Sequence, residues 1–189
     1  MKQVFIIGGI MAIISLAVFF LPDSLALFAF SGDLLFQGEI WRLITFSFVY
    51  ANFNHLIENI LTLALTSFLT FEFELSGNHF IAVFLISVAV IALASAFLLP
   101  SMLIAGLSAG IYALLGSLSI QGSNFIPKYI LIPMLGFSPF FKYIFIPFST
   151  KELTQSAFHF LGFLVGIAVF CLIHVSMKKK KILQGDLDG

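Results

Sequence analysis

Charge is the scarcest feature of this sequence. Nine Lys or Arg and nine Asp or Glu among 189 residues make it 10% charged, against roughly 25% in an average soluble domain. From Phe80 to Pro127 there is no Asp, Glu, Lys, Arg or His, which excludes a solvated surface of that length. Six of the eighteen charges follow Met177, in MKKKKILQGDLDG, so twelve serve the first 177 residues. Cysteine is nearly absent too. Cys171 is alone, which excludes an internal disulfide or a cysteine-based zinc cluster and leaves a small apolar residue within a span. What is abundant is apolar: 60% of residues are hydrophobic, 25 of them Phe, and the mean hydropathy is +1.12. The expected class is an all-α polytopic membrane protein; soluble metabolism and nucleic-acid binding drop out.

A helix needs about 20 apolar residues to cross the hydrocarbon. Divided at its polar punctuation, the chain offers six such windows, roughly 4–22, 54–73, 79–99, 105–122, 127–146 and 153–176. The first is longer than the roughly 7–15 residues of a signal-peptide core and is expected to be retained. The connection from Pro22 to Phe53 is too polar for a span and too aromatic for a solvated linker, so it is expected at the interface. Lys2 and the cluster Lys178 to Lys181 place both termini on the cytoplasmic side. Residues 1–177 read as one transmembrane domain and 178–189 as a short cytoplasmic tail. Pro127, Pro133, Pro139 and Pro147 crowd the fifth window, which predicts a short or broken helix. A mobile gate and a kinked helix satisfied by its neighbours both fit it.

Polar side chains inside a span are costly and mark function by default. They are His55, Glu58 and Asn59 in the second window, Ser108 in the fourth and His159 in the sixth, with His174 near the cytoplasmic end. The even-numbered spans all run from outside to inside, so His55, Ser108 and His159 are expected at one level below the outer surface. His174 lies fifteen residues beyond His159, about 22 Å deeper along a helix, and reads as a snorkelling interfacial residue. His55 and Asn59 share a face at i and i+4, as do Ser108 and Tyr112. Gly162 and Gly166 form GxxxG, and Gly106, Ala109, Gly110, Ala113 and Gly116 make an equally small surface on the fourth span. Close approach of these two helices brings Ser108 and His159 within hydrogen-bonding reach. A serine needs a base to become a nucleophile, and His159 is placed to be one. The backbone N–H of Ser108 with His55 and Asn59 would supply oxyanion donors. Two histidines without a carboxylate pair make poor metal ligands, so no metal or cofactor is expected.

These residues also fall into motifs. Trp41-Arg42 precedes HLIEN (His55 to Asn59), GLSAGIYALLG (Gly106 to Gly116) and FHFLGFLVG (Phe158 to Gly166). In this order and on these spans the chain resembles the rhomboid family of intramembrane serine proteases. The resemblance implies a six-transmembrane-helix bundle, Ser108 as nucleophile, His159 as general base and no third acidic member. It also implies His55, Asn59 and Ser108 at the oxyanion, Tyr112 packed on His159, and Trp41 and Arg42 with Glu39 ordering the interfacial loop. Gly106, Gly162 and Gly166 would permit close packing, and the fifth span would be the lateral gate. Substrates would be single-pass transmembrane proteins cut within the lipid bilayer, and the location a multi-pass position in a prokaryotic plasma (inner) membrane.

Three positions depart from the family pattern. Ala109 stands for Gly after the serine, Phe158 stands for a small residue before the histidine, and Glu58 replaces an apolar residue. For Glu58 a water cavity, a polar partner and a protonated carboxyl all remain open. Two other functions also remain: an inactive rhomboid-like protein that binds membrane helices, and a small transporter, for which an inverted repeat is missing.

Overall fold

A computed structural model describes residues 2–122, 127–144 and 149–185. Their regular elements are all helical, and the extended pairing among the described residues is one antiparallel bridge, Phe30 with Ile104. Helix α1 spans Gln3–Phe19 and buries Val4, Gly8, Met11 and Ser15, a stripe at helical spacing that packs on α5. Its remaining faces carry exposed Ile6, Ile10 and Ile13, a surface suited to lipid.

The connection read as interfacial folds into short helices α2 (Ser24–Phe28), α3 (Gly32–Phe36) and α4 (Arg42–Thr45), with a 3-10 turn at Phe46–Phe48. No intrinsic propensity holds helices of four or five residues; a buried cation does. Arg42 donates from Nε to Glu39 Oε2 at 2.6 Å, from Nη1 to the Ala29 carbonyl at 2.6 Å and from Nη2 to the Ala26 carbonyl at 2.8 Å. Trp41 and Thr45 add bonds to the carbonyls of Leu27 and Phe28. Eight residues thus tie the loop to itself around one guanidinium.

Helix α5 (Phe53–Glu72) begins where Asn52 accepts from the His55 N–H at 2.9 Å, an N-cap. It ends with Glu74 in the left-handed region, φ +57°, its N–H on the Phe71 carbonyl and that of Leu75 on Thr70. Helix α6 (Gly77–Leu98) is capped by Ser76. Helix α7 (Ser108–Gln121) is the central one, touching α5, α6, α8 (Lys128–Gly136) and α9 (Thr150–Gly185).

Among the described residues, two helices are long and apolar enough to cross a bilayer on their own: α6 and the Glu152–Val175 part of α9. Helix α7 has 14 residues, about 21 Å of rise against a hydrocarbon thickness of roughly 30 Å. It starts at Ser108 rather than near 105 because Gly106 has φ +107°, a conformation no right-handed helix contains. The fifth window is broken: α8 ends after nine residues with Pro133 inside it, and a 3-10 segment, Ser138–Ile144, follows. Pro147 and the rest of that connection fall outside the described residues. Helix α9 continues past residue 177 to Gly185 without a break, so the expected start of the tail lies within one helix.

Candidate active site

The segment between α6 and α7 carries the site down to its depth. Phe30 N–H donates to the Ile104 carbonyl at 2.9 Å and Ile104 N–H returns to Phe30 at 2.8 Å. Two residues later Gly106 N–H donates to the Phe46 carbonyl at 2.8 Å. The Arg42-ordered loop therefore grips the three residues that lead into Ser108. Irregular backbone at such depth is tolerated where it is buried in protein or lines a cavity, and both hold here.

Ser108 is the first residue of α7. Its N–H points out of the helix start, and no acceptor for it occurs among the described residues. Its Oγ lies 2.9 Å from Nε2 of His159 on α9. The rings of Tyr112 and His159 stack with centroids 4.5 Å apart and planes at 18°, so the imidazole is held from one side by the residue one turn below the serine.

Small residues make this approach possible. A Cβ built on Gly162 would come 2.9 Å from the Ala109 carbonyl oxygen, and one on Gly166 would overlap the carbonyl of Ala113. Reciprocally, a Cβ on Gly116 would overlap the carbonyl of Phe163. The two backbones touch over successive turns below the Ser108–His159 pair, as GxxxG crossings do. Gly110 does not belong to this seam: a Cβ there would strike the Phe84 ring on α6.

His55 reaches the same place from α5. A Cβ on Gly106 would sit 3.0 Å from both Cε1 and Nε2 of His55, so the imidazole edge lies against the backbone just before the serine. Gly106 is demanded twice, by its positive φ and by this contact. Asn59 behaves differently. Its Nδ2 donates to the His55 carbonyl one turn back at 2.8 Å, its Oδ1 is buried without a partner among the described residues, and the residue is 6% exposed. Sharing a face with His55 does not bring it to the cavity wall.

A cleft of about 650 Å³ opens onto these groups, lined among others by His55, Glu58, Gly106, Ser108, Ala109 and His159. Phe158 and Gln155 line it from α9, and Met102 and Leu103 from the segment before Ser108. Ala109 is on that wall, and its backbone carbonyl is the atom that meets Gly162 at the helix crossing. His174 is remote, stacked on Phe170.

Two contributors escaped sequence reasoning. Tyr50 packs edge-on against His55, centroids 5.3 Å apart at 78°, and its hydroxyl is 3.4 Å from Ser15 Oγ on α1. Burial pushes its phenol up to about 12, so it stays protonated and braces His55 from behind. The other is Asn52, whose cap fixes the first turn that carries His55; an Asn three residues before the first bonded N–H is a readable signal.

Chemically, a hydroxyl on an imidazole nitrogen, an unspent N–H beside it and a second imidazole across a cleft form an acyl-transfer constellation. A family model described as a Rhomboid domain matches residues 37–176, a span that starts before Trp41 and includes His55, Asn59, Ser108, Tyr112 and His159. Among curated proteins none matches the chain. The match covers well over half of the sequence, and this chain, a helical integral membrane protein, belongs to the rhomboid family, whose members are intramembrane proteases or inactive relatives acting on membrane proteins within the bilayer.

Proposed function

We propose that the chain is an active intramembrane serine endopeptidase with six membrane crossings and both termini in the cytoplasm. In this reading α1, α5, α6, α7, the α8 region and α9 cross the membrane, residues 1–177 form the domain and 178–189 the tail. The short α7 fits because its outer end begins inside the fold. A prokaryotic plasma membrane is the proposed location, and single-pass transmembrane proteins are the proposed substrates.

Ser108 is the nucleophile and His159 the general base. With its proton on Nδ1, His159 accepts the Ser108 proton at Nε2 as Oγ attacks the scissile carbonyl carbon. The carbonyl oxygen becomes an oxyanion, received by the Ser108 N–H at the start of α7, where the helix dipole also favours negative charge. His55 adds a side-chain donor. Asn59 spends one amide N–H on its own helix and offers the second after a side-chain rotation. The protonated His159 then gives its proton to the leaving nitrogen, the C–N bond breaks, and an acyl-Ser108 remains. Water adds to the acyl group with His159 again taking the proton; His159 returns it to Ser108 Oγ as the C–O bond to the serine breaks, and the new carboxylic acid leaves. Tyr112 keeps the imidazole plane aligned through both steps, and Trp41 and Arg42 keep the loop that anchors Gly106.

The observation that carries this reading is the 2.9 Å approach of Ser108 Oγ to His159 Nε2 across two helices. An inactive family member has no need to keep it, and a transporter offers no role for an oriented hydroxyl. The test is cleavage of a transmembrane substrate in detergent or liposomes: Ser108→Ala and His159→Ala each abolish it while both proteins stay folded. Cleavage that persists in Ser108→Ala refutes the serine mechanism.

A further inference from the structure

We infer that Glu58 is a specificity-determining residue that favours substrates with a cationic side chain beside the scissile bond; this rests on the protease reading above. Glu58 is exposed, and it lines the same cleft as Ser108, His55 and His159. It follows His55 by three residues on α5, so it lies on an adjoining face about 4.5 Å deeper. Its carboxylate has no hydrogen bond or ion pair among the described residues; the carbonyl that accepts from Thr62 is backbone. The other titratable groups on the described cleft wall are His55 and His159, and the proposed mechanism starts with His159 neutral. Among the described residues, none on the lining supplies a fixed positive charge.

A carboxylate in this position serves no step of the reaction. Glu58 lines the cleft that holds Ser108, and its Oε atoms have no hydrogen-bond partner among the described residues. A guest that brings an ammonium or guanidinium gives this carboxylate a charge-assisted partner on binding. A guest carboxylate meets repulsion instead, so discrimination has both an attractive and a repulsive side. The described cleft lining also includes Ile91, Met102 and Gln155, apolar or neutral surface for the stem of a Lys or Arg whose head pairs.

The experiment uses the full-length chain in liposomes and one transmembrane substrate in which Lys, Gln or Glu is placed in turn at each position flanking the cleavage site. At one or more of these positions the wild type is expected to cleave the Lys version about three- to tenfold faster, in kcat/KM, than the Gln version, and the Glu version more slowly still. Glu58→Gln, which keeps the shape, equalises the Lys and Gln versions. Glu58→Lys inverts the order, and added salt weakens the preference. Ser108-dependent cleavage with no charge preference, or a preference that survives in Glu58→Gln, overturns this inference and leaves the protease reading standing. No Ser108-dependent cleavage of any version overturns both.

Discussion

Replacing Gly166 with alanine adds one methyl group, and α7 leaves no room for it. The new Cβ would overlap the Ala113 carbonyl, a backbone atom that cannot swing aside. The helices must separate at this crossing by on the order of 1 Å, an overpacking cost of about 1–3 kcal/mol. Against it stands the higher helix propensity of alanine, about 1 kcal/mol, so the net loss of stability is modest, about 0–2 kcal/mol. Activity suffers more. The Ser108–His159 contact at 2.9 Å lies on the same seam, and widening it by 1 Å takes it beyond hydrogen-bonding range, a displacement that costs about 100-fold in rate. The assay is cleavage of a transmembrane substrate alongside thermal unfolding in detergent. Gly9→Ala is the matched control: a Cβ there meets nothing within 4 Å, so it should raise stability by about 0.5–1 kcal/mol and leave the rate unchanged. Gly166→Ala that cleaves within about threefold of the wild type would refute the claim that helix approach sets the catalytic distance.

Arg42→Ala strips Glu39 and two loop carbonyls of their donor. It should lower stability by on the order of 3 kcal/mol, visible as a lower melting temperature, and reduce cleavage because the grip on Gly106 loosens; Arg42→Lys, with one point charge in place of a fork, should not restore it. Glu74 occupies a left-handed position that glycine takes without strain, so Glu74→Gly should raise stability by about 0.5–1 kcal/mol in chemical unfolding, with cleavage unaffected; a loss of stability there would contradict the cap.

Apolar windows located α1, α5 and α6 to within a few residues because a run of hydrophobic residues and a helix that can hold lipid around it are nearly the same thing. Windows say nothing about backbone sign, and so the start of α7 at Ser108, set by the φ of Gly106 and three hydrogen bonds to the distant Arg42-ordered loop, was hidden. The helices between Ser24 and Thr45 were hidden for a similar reason, since their cause is Arg42 reaching carbonyls 13 and 16 residues away. At the site, spacing was a sound guide to which residues share a face: Ser108 with Tyr112, and Gly162 with Gly166. It was silent on rotamers, which is why Asn59 sat beside His55 in the sequence argument yet turns its amide back onto its own helix. Glu58 had three open environments on sequence grounds, and its exposure on the cleft wall selects the water-accessible one.

The central claim is that Ser108 is a nucleophile activated by His159, and covalent labelling of the purified protein with a fluorophosphonate tests it most directly. The account predicts one adduct, located at Ser108 by peptide mass spectrometry, absent from Ser108→Ala and lost or strongly slowed in His159→Ala. A folded wild type that takes up no label, or a Ser108→Ala variant labelled as readily as the wild type, would contradict it.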